Sequence, residues 1–303
     1  MARSLVAVLR DICQHVREVK DAWFVIDAII CLTRQSLFYG ADAEALLEIT
    51  KLSILPAVRE KHPRALPDYF HSHVAKCCGD LLMAQDAQLP FEEAFQLYER
   101  VVKGEDDALF SEGETGPETL RQVCNDDLSM TGPLLRAAWV LQAYKAFIFS
   151  SIMDIRSCGI TYLSKELAEW HRVYCQLFDG GADHPVIQYA ARFLRKNELT
   201  DYIFSANSHA SIITHSKEII SFLAVTFNYT NRETDIIWQA CTTSVEADFV
   251  KASFAVLLHV CRHLGFQQLY YAAQKYTVAP IGSISSQTSI ETLSALFLSL
   301  IHI

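Results

Sequence analysis

Glycine and proline are scarce in this 303-residue sequence, at 11 and 8 residues. Many-turned sandwiches and barrels draw heavily on both, so their scarcity excludes such folds and favours long helices. No C-x-x-C pair occurs among the nine cysteines, an odd count. Only Cys77 and Cys78 are adjacent, a geometry poorly suited to a mutual disulfide. Others sit among apolar neighbours, as in Ala240-Cys241 and Val260-Cys261, where a free thiol behaves as a small hydrophobe. A reducing compartment, cytoplasmic or nuclear, is expected. Positive charge is also short, with Lys+Arg 26 against Asp+Glu 35 and a net charge of −9. Such a chain lacks the broad positive field that drives phosphate-backbone binding, so nucleic acid is not an expected partner.

Uninterrupted apolar runs are missing too. Residues 22–32 are broken by Asp27, and residues 134–153 contain Arg136, Gln142 and Lys145, so neither reads as a membrane span. The N-terminus enters a helical pattern containing Arg10, Asp11 and His15, without the apolar core of a signal peptide. The tripeptide Asn228-Tyr229-Thr230 fits a glycosylation sequon, which matters only in a secreted chain.

What the sequence has in quantity is helical periodicity. Apolar residues make up 51% of the chain, which excludes a mainly disordered protein. Leu5, Val8, Leu9, Ile12 and Val16 form one stripe, and Phe24, Val25, Ala28 and Leu32 a second. Helices are also expected over 42–61, 68–83 and 90–103. Residues 104–118 then carry six acids, from Glu105 to Glu118, with no basic residue. An acidic mobile loop is expected over 104–119. Beyond it, Leu134 to Ile155 and Tyr162 to Leu177 read as helices, and Asp183 with Pro185 marks the start of another. A helix from Ser208 has Ile212, Ser216, Ile219, Ile220 and Leu223 as its inner face. Thr230 to Glu233 and Thr243 to Glu246 both fit capping boxes, the second opening a helix striped by Val250, Phe254, Leu257, Leu258 and Cys261. The expected organisation is a helical array over 1–103, the loop over 104–119, a second array over 120–278 and a tail over 279–303. Strand-like alternation is nearly absent, and the fold class is all-α. Short connections and two-faced stripes suit an α-solenoid of stacked antiparallel helix pairs, armadillo- or HEAT-like.

No constellation assembles an active site. His259 and His263 lie four apart on a helix face, as zinc ligands do. However, the metalloprotease pattern needs a glutamate where Val260 stands, so they read as a helix-surface pair. His71 and His73 do not share a helix face and read as a helix start. His209 and His215 flank the start of the Ser208 helix. Gly180-Gly181 reads as a helix stop, Asp106-Asp107 and Asp126-Asp127 as solvated loop acids, and Trp170 and Trp238 as core. There is no nucleophile elbow, Walker loop or dinucleotide fingerprint. No catalytic, metal-binding or cofactor-binding residue is assigned, and no cofactor is expected.

The stretch from about 150 to 265 carries an ordered set of motifs. They are Ile155-Arg156-Ser157-Cys158-Gly159-Ile160, Leu163-Ser164-Lys165-Glu166-Leu167, Tyr202-Ile203-Phe204, Ser208-His209, His215-Ser216, Ile219-Ile220-Ser221-Phe222-Leu223 and Thr234-Asp235-Ile236-Ile237-Trp238. In order and spacing this resembles the armadillo-like helical region that precedes the catalytic domain of very large ubiquitin-specific proteases. The resemblance implies a parent enzyme with a cysteine–histidine–acid catalytic unit, and protein partners that are ubiquitinated substrates or adaptors. The family's N-x-G-N-T-C-Y type and Gly-His-Tyr type boxes do not occur here, so the chain alone is expected to be inactive. A free-standing helical-repeat adaptor is the alternative. The terminal Leu298 to Ile303 resembles the translation of a transposase end sequence used as a sequencing adapter, so the native reading is expected to stop near Phe297.

Overall fold

The computed structural model describes residues 117–124, 127–177, 181–205 and 208–278, with separate positions at 8, 64, 66–69, 71, 96, 290, 291, 294 and 298. Apart from those separate positions, the helices expected before residue 104, the acidic segment up to residue 116 and the tail lie outside the described residues. Among the described residues the fold is all-α and contains no strand. No described helix is long and apolar enough to cross a membrane. The chain divides into two compact units, Met1–Gly159 and Ile160–Ile303.

In the first unit, α1 (Leu66–Tyr69) is a single turn, and α2 (Pro117–Cys124) packs against α3 (Leu128–Ile148). Helix α2 opens on Pro117, inside the segment expected to be loop. Proline is preorganised for a first helical position, and Glu118 beside it suits the positive helix end. Asp127 caps α3, its Oδ1 accepting from the Ser129 N–H at 3.0 Å and the Ser129 hydroxyl at 2.6 Å. These bonds hold the Asp127 carboxyl below its ordinary pKa. The run expected as one helix from Leu134 to Ile155 is in fact broken. α3 stops at Ile148, and α4 (Met153–Trp170) starts after a turn in which Ser150 Oγ accepts from the Ile152 N–H at 3.2 Å. Nor is α3 amphipathic: every residue from Ala137 to Tyr144 is buried, as expected of a helix enclosed by its own unit. The first turns of α4 press close against the end of α3. A Cβ added to Gly159 would stand 2.9 Å from Phe147 Cβ and 3.0 Å from the Ile148 nitrogen.

The second unit begins with the rest of α4, which buries Trp170 as expected and runs on through a π-helical stretch, His171–Leu177. Gly181 adopts a left-handed φ of 61°, the conformation expected of a glycine at a helix stop. There follow α5 (Pro185–Lys196), α6 (Leu199–Ile203), α7 (Ala210–His215), α8 (Lys217–Val225), α9 (Asn231–Thr243), α10 (Ala247–Cys261) and α11 (Phe266–Val278). The helix expected from Ser208 is two helices, α7 and α8, hinged at Ser216, whose hydroxyl donates to the Ile213 carbonyl at 2.8 Å. Its inner face nevertheless stands: Ile212, Ser216, Ile219, Ile220 and Leu223 are all buried.

Helix α10 is the centre of this unit and packs against α7, α8 and α9. Phe249, Phe254, Val256, Leu257, Val260 and Cys261 are buried along it, a face centred slightly to one side of the expected stripe. The first capping box forms: the Thr230 N–H donates to Glu233 Oε2 at 2.7 Å, and Thr230 Oγ1 accepts from the Arg232 N–H at 3.3 Å. The second does not. Thr243 is still the last residue of α9 and bonds back to the Gln239 carbonyl at 2.9 Å, while Glu246 caps α10 without a side-chain bond.

Candidate functional site

The histidines singled out from the sequence mostly serve helix ends. His209 caps α7, its Nδ1 accepting from the Ser211 N–H at 3.2 Å. His215 closes α7, its carbonyl accepting from the Ser164 hydroxyl at 2.9 Å. His71 Nδ1 lies 2.7 Å from the hydroxyl of the buried Tyr144; His73 lies outside the described residues. His259 and His263 are neighbours, their rings 5.7 Å apart and edge-on. His259 Nε2 stands 3.5 Å from Glu218 Oε1. Burial holds His259 below the ordinary histidine range, with Lys217, His263 and Arg262 acting the same way and Glu218 opposing them. Among the described residues, no group of three or more His, Cys, Asp or Glu side chains is placed to hold a metal ion.

The described cysteines, Cys124, Cys158, Cys175, Cys241 and Cys261, are all free. Burial pushes the Cys241 thiol well up and the Cys261 thiol up to about 12, so neither ionises near neutrality.

One surface of the second unit does concentrate charge. An open groove of about 700 Å³ is lined by Gln188, Arg192, Arg195, Lys196, Glu198, Asn228 and Arg232. Gln188, Arg192, Arg195 and Lys196 recur at spacings of three and four along α5, which puts them on one helix face. That face is outward because the opposite one, Val186, Ile187, Tyr189, Ala190, Phe193 and Leu194, is buried. Asn228 comes from the turn after α8, where its Nδ2 donates to the Thr226 carbonyl at 2.8 Å. That bond ties the sequon asparagine to its own turn, and Tyr229 after it is buried. Arg232 stands in the first turn of α9 and is paired with Asp201 at 2.9 Å. Arg192 and Arg195 are exposed and form no ion pair among the described residues.

Two strained residues border the groove. Glu198 ends α5 at φ 50°, and Phe227, next to Asn228, ends α8 at φ 58°. Phe227 occupies the glycine position of a helix-stop motif. Its N–H donates to the Ala224 carbonyl at 3.2 Å, and the Asn228 N–H donates to the Leu223 carbonyl at 2.8 Å. Its side chain is 88% exposed, so no packing offsets the left-handed strain. Sequence reading missed this groove. The cations of α5 were visible at helical spacing, but nothing in the sequence joined them to Asn228 and Arg232, more than thirty residues on.

No protein-family model, curated protein or solved structure matches the chain.

Proposed function

We propose that the chain is a non-catalytic scaffold segment of a cysteine-type ubiquitin-specific protease. In this reading it is an α-solenoid whose helix faces recruit substrates or adaptors for deubiquitination. The observation that supports it best is the direction of three successive helices. Trp238 of α9 meets Phe254 of α10 at 6.2 Å, edge-on. These positions are almost symmetric about the connection at 244–246, as antiparallel neighbours require. Asp235 and Trp238 meet Tyr271 and Tyr276 of α11 in the same order, by a 2.9 Å hydrogen bond and a 4.7 Å ring contact, as parallel helices do. Helices that alternate in direction, with the first also packed on the third, are the unit from which helical repeats stack. The resemblance to the protease family supplies the parent. Its motif residues Ile219, Ile220, Phe222, Leu223 and Ile237 are buried, which suits motifs kept for packing.

Sequencing the transcript beyond the codon for Phe297 tests this reading. The expected result is an open frame that reaches an N-x-G-N-T-C-Y type box and, later, a Gly-His-Tyr type box. Residues 1–303 alone should form no adduct with a ubiquitin-based thiol-reactive probe. A stop codon soon after residue 297 overturns the protease context and leaves a free-standing helical adaptor.

A further inference from the structure

The groove between the end of α5 and the start of α9 gathers four cations, Arg192, Arg195, Lys196 and Arg232, against one lining carboxylate, Glu198. This concentration runs against the chain as a whole, whose net charge is −9. Basic residues near a helix C-terminus are partly explained by the helix dipole, and Arg195 and Lys196 fall in the last turn of α5. Arg192 lies a turn earlier, and Arg232 sits at a helix N-terminus, where the dipole disfavours a cation. Arg232 is held in place by Asp201 at 2.9 Å and Glu198 at 3.8 Å, while Arg192 and Arg195 have no carboxylate partner among the described residues. The guanidinium fork matches a carboxylate with two parallel hydrogen bonds, so the pair on α5 is set for planar anions. At about 700 Å³ the groove is larger than a single small anion needs, and its lining residues on α5 run from Gln188 to Lys196, about two helical turns. Phe227, which precedes the lining residue Asn228 in the chain, is 88% exposed and leaves an apolar ring on the surface there.

We propose that this groove binds an acidic peptide segment of a partner protein, with its carboxylates engaged by Arg192 and Arg195. The inference rests on the scaffold reading for the kind of partner, a protein, and names its chemistry. The test is fluorescence anisotropy of the full 303-residue chain with a labelled twelve-residue Asp/Glu peptide containing one leucine. The wild-type chain should bind it, and the same peptide with Asn and Gln in place of the acids should not bind. Arg192→Glu with Arg195→Glu should weaken binding by about tenfold or more. Lys217→Glu with Lys251→Glu, the same charge change on exposed residues outside the groove lining, should leave it within about twofold. If the charge-reversed chain loses its helical signal, Arg192→Gln with Arg195→Gln replaces it and should show the same direction. Equal binding by the groove and control variants overturns the proposal. So does a single-stranded oligonucleotide that binds as tightly as the peptide, or inorganic phosphate that displaces the peptide at the peptide's own concentration. The transcript result does not bear on these outcomes, so the two readings fail separately.

Discussion

Thr230 and Glu233 hold each other across the first turn of α9. The Thr230 N–H donates to Glu233 Oε2 at 2.7 Å, and the Thr230 hydroxyl donates to the same oxygen at 2.5 Å. Glu233 is buried, so this pairing also satisfies a carboxylate withdrawn from water. Thr230→Ala removes the hydroxyl and should cost about 1 kcal/mol of unfolding free energy in urea titration. Thr230→Ser keeps the hydroxyl and should cost only a few tenths. Equal losses in both variants would show that the cap is not what the threonine supplies.

Leu257 is fully buried on α10, the helix that packs against α7, α8 and α9. Leu257→Ala should therefore destabilise the chain by about 2–5 kcal/mol, the range for deleting a packed leucine side chain. Val245, fully exposed in the connection before α10, is the matched control, and Val245→Ala should change stability by less than about 0.5 kcal/mol. Denaturant midpoints of the two variants check this directly.

How much of this fold was legible depended on whether a signal was local. The inner face from Ile212 to Leu223 was readable because a period of 3.6 survives a hinge of one residue. The hinge itself was not readable, since Ser216 is compatible with a continuous helix and breaks it only by bonding back to Ile213. The second capping box was misread because Thr243 was already committed to the end of α9. A four-residue pattern does not say which helix claims its first residue. Histidine caps at His184 and His209 escaped notice because Ser, Thr, Asp and Asn dominate that position. The basic groove depends on α5 meeting the α8–α9 turn, a tertiary fact that no periodicity encodes.

Gly159 and Gly181 are glycines for different reasons, and substitution separates them. Gly159 is buried in α4 at an ordinary helical conformation, and the obstacle to a side chain is the backbone and Phe147 Cβ at the end of α3. Gly159→Ala should cost about 1–3 kcal/mol, as forced overpacking does. At Gly181 nothing lies within 4 Å of an added Cβ, and the only obstacle is its φ of 61°. Gly181→Ala should cost about 1 kcal/mol from that conformation alone. Thermal unfolding of both variants should rank Gly159→Ala as the less stable.

His184 makes the stability of the second unit depend on pH. Its Nδ1 accepts from the Val186 N–H at 3.3 Å to cap α5, a bond that requires the neutral ring, and it stacks on Tyr174 at 4.2 Å. Burial lowers its pKa from the ordinary histidine value of 6.5, and burial does the same to His171 and His259. A histidine whose folded pKa is depressed binds fewer protons when folded than when unfolded. Its contribution is therefore fully present above pH 6.5 and is lost as the pH falls through the lowered folded value. The melting temperature should accordingly drop between pH 7.5 and pH 5, with the acids contributing little until lower pH. His184→Asn keeps a capping side chain but has no proton to gain. Whatever its absolute stability, its melting temperature should fall less over that interval than the wild type's, with His171 and His259 carrying the remainder. An unchanged slope would mean that His184 does not couple protonation to folding.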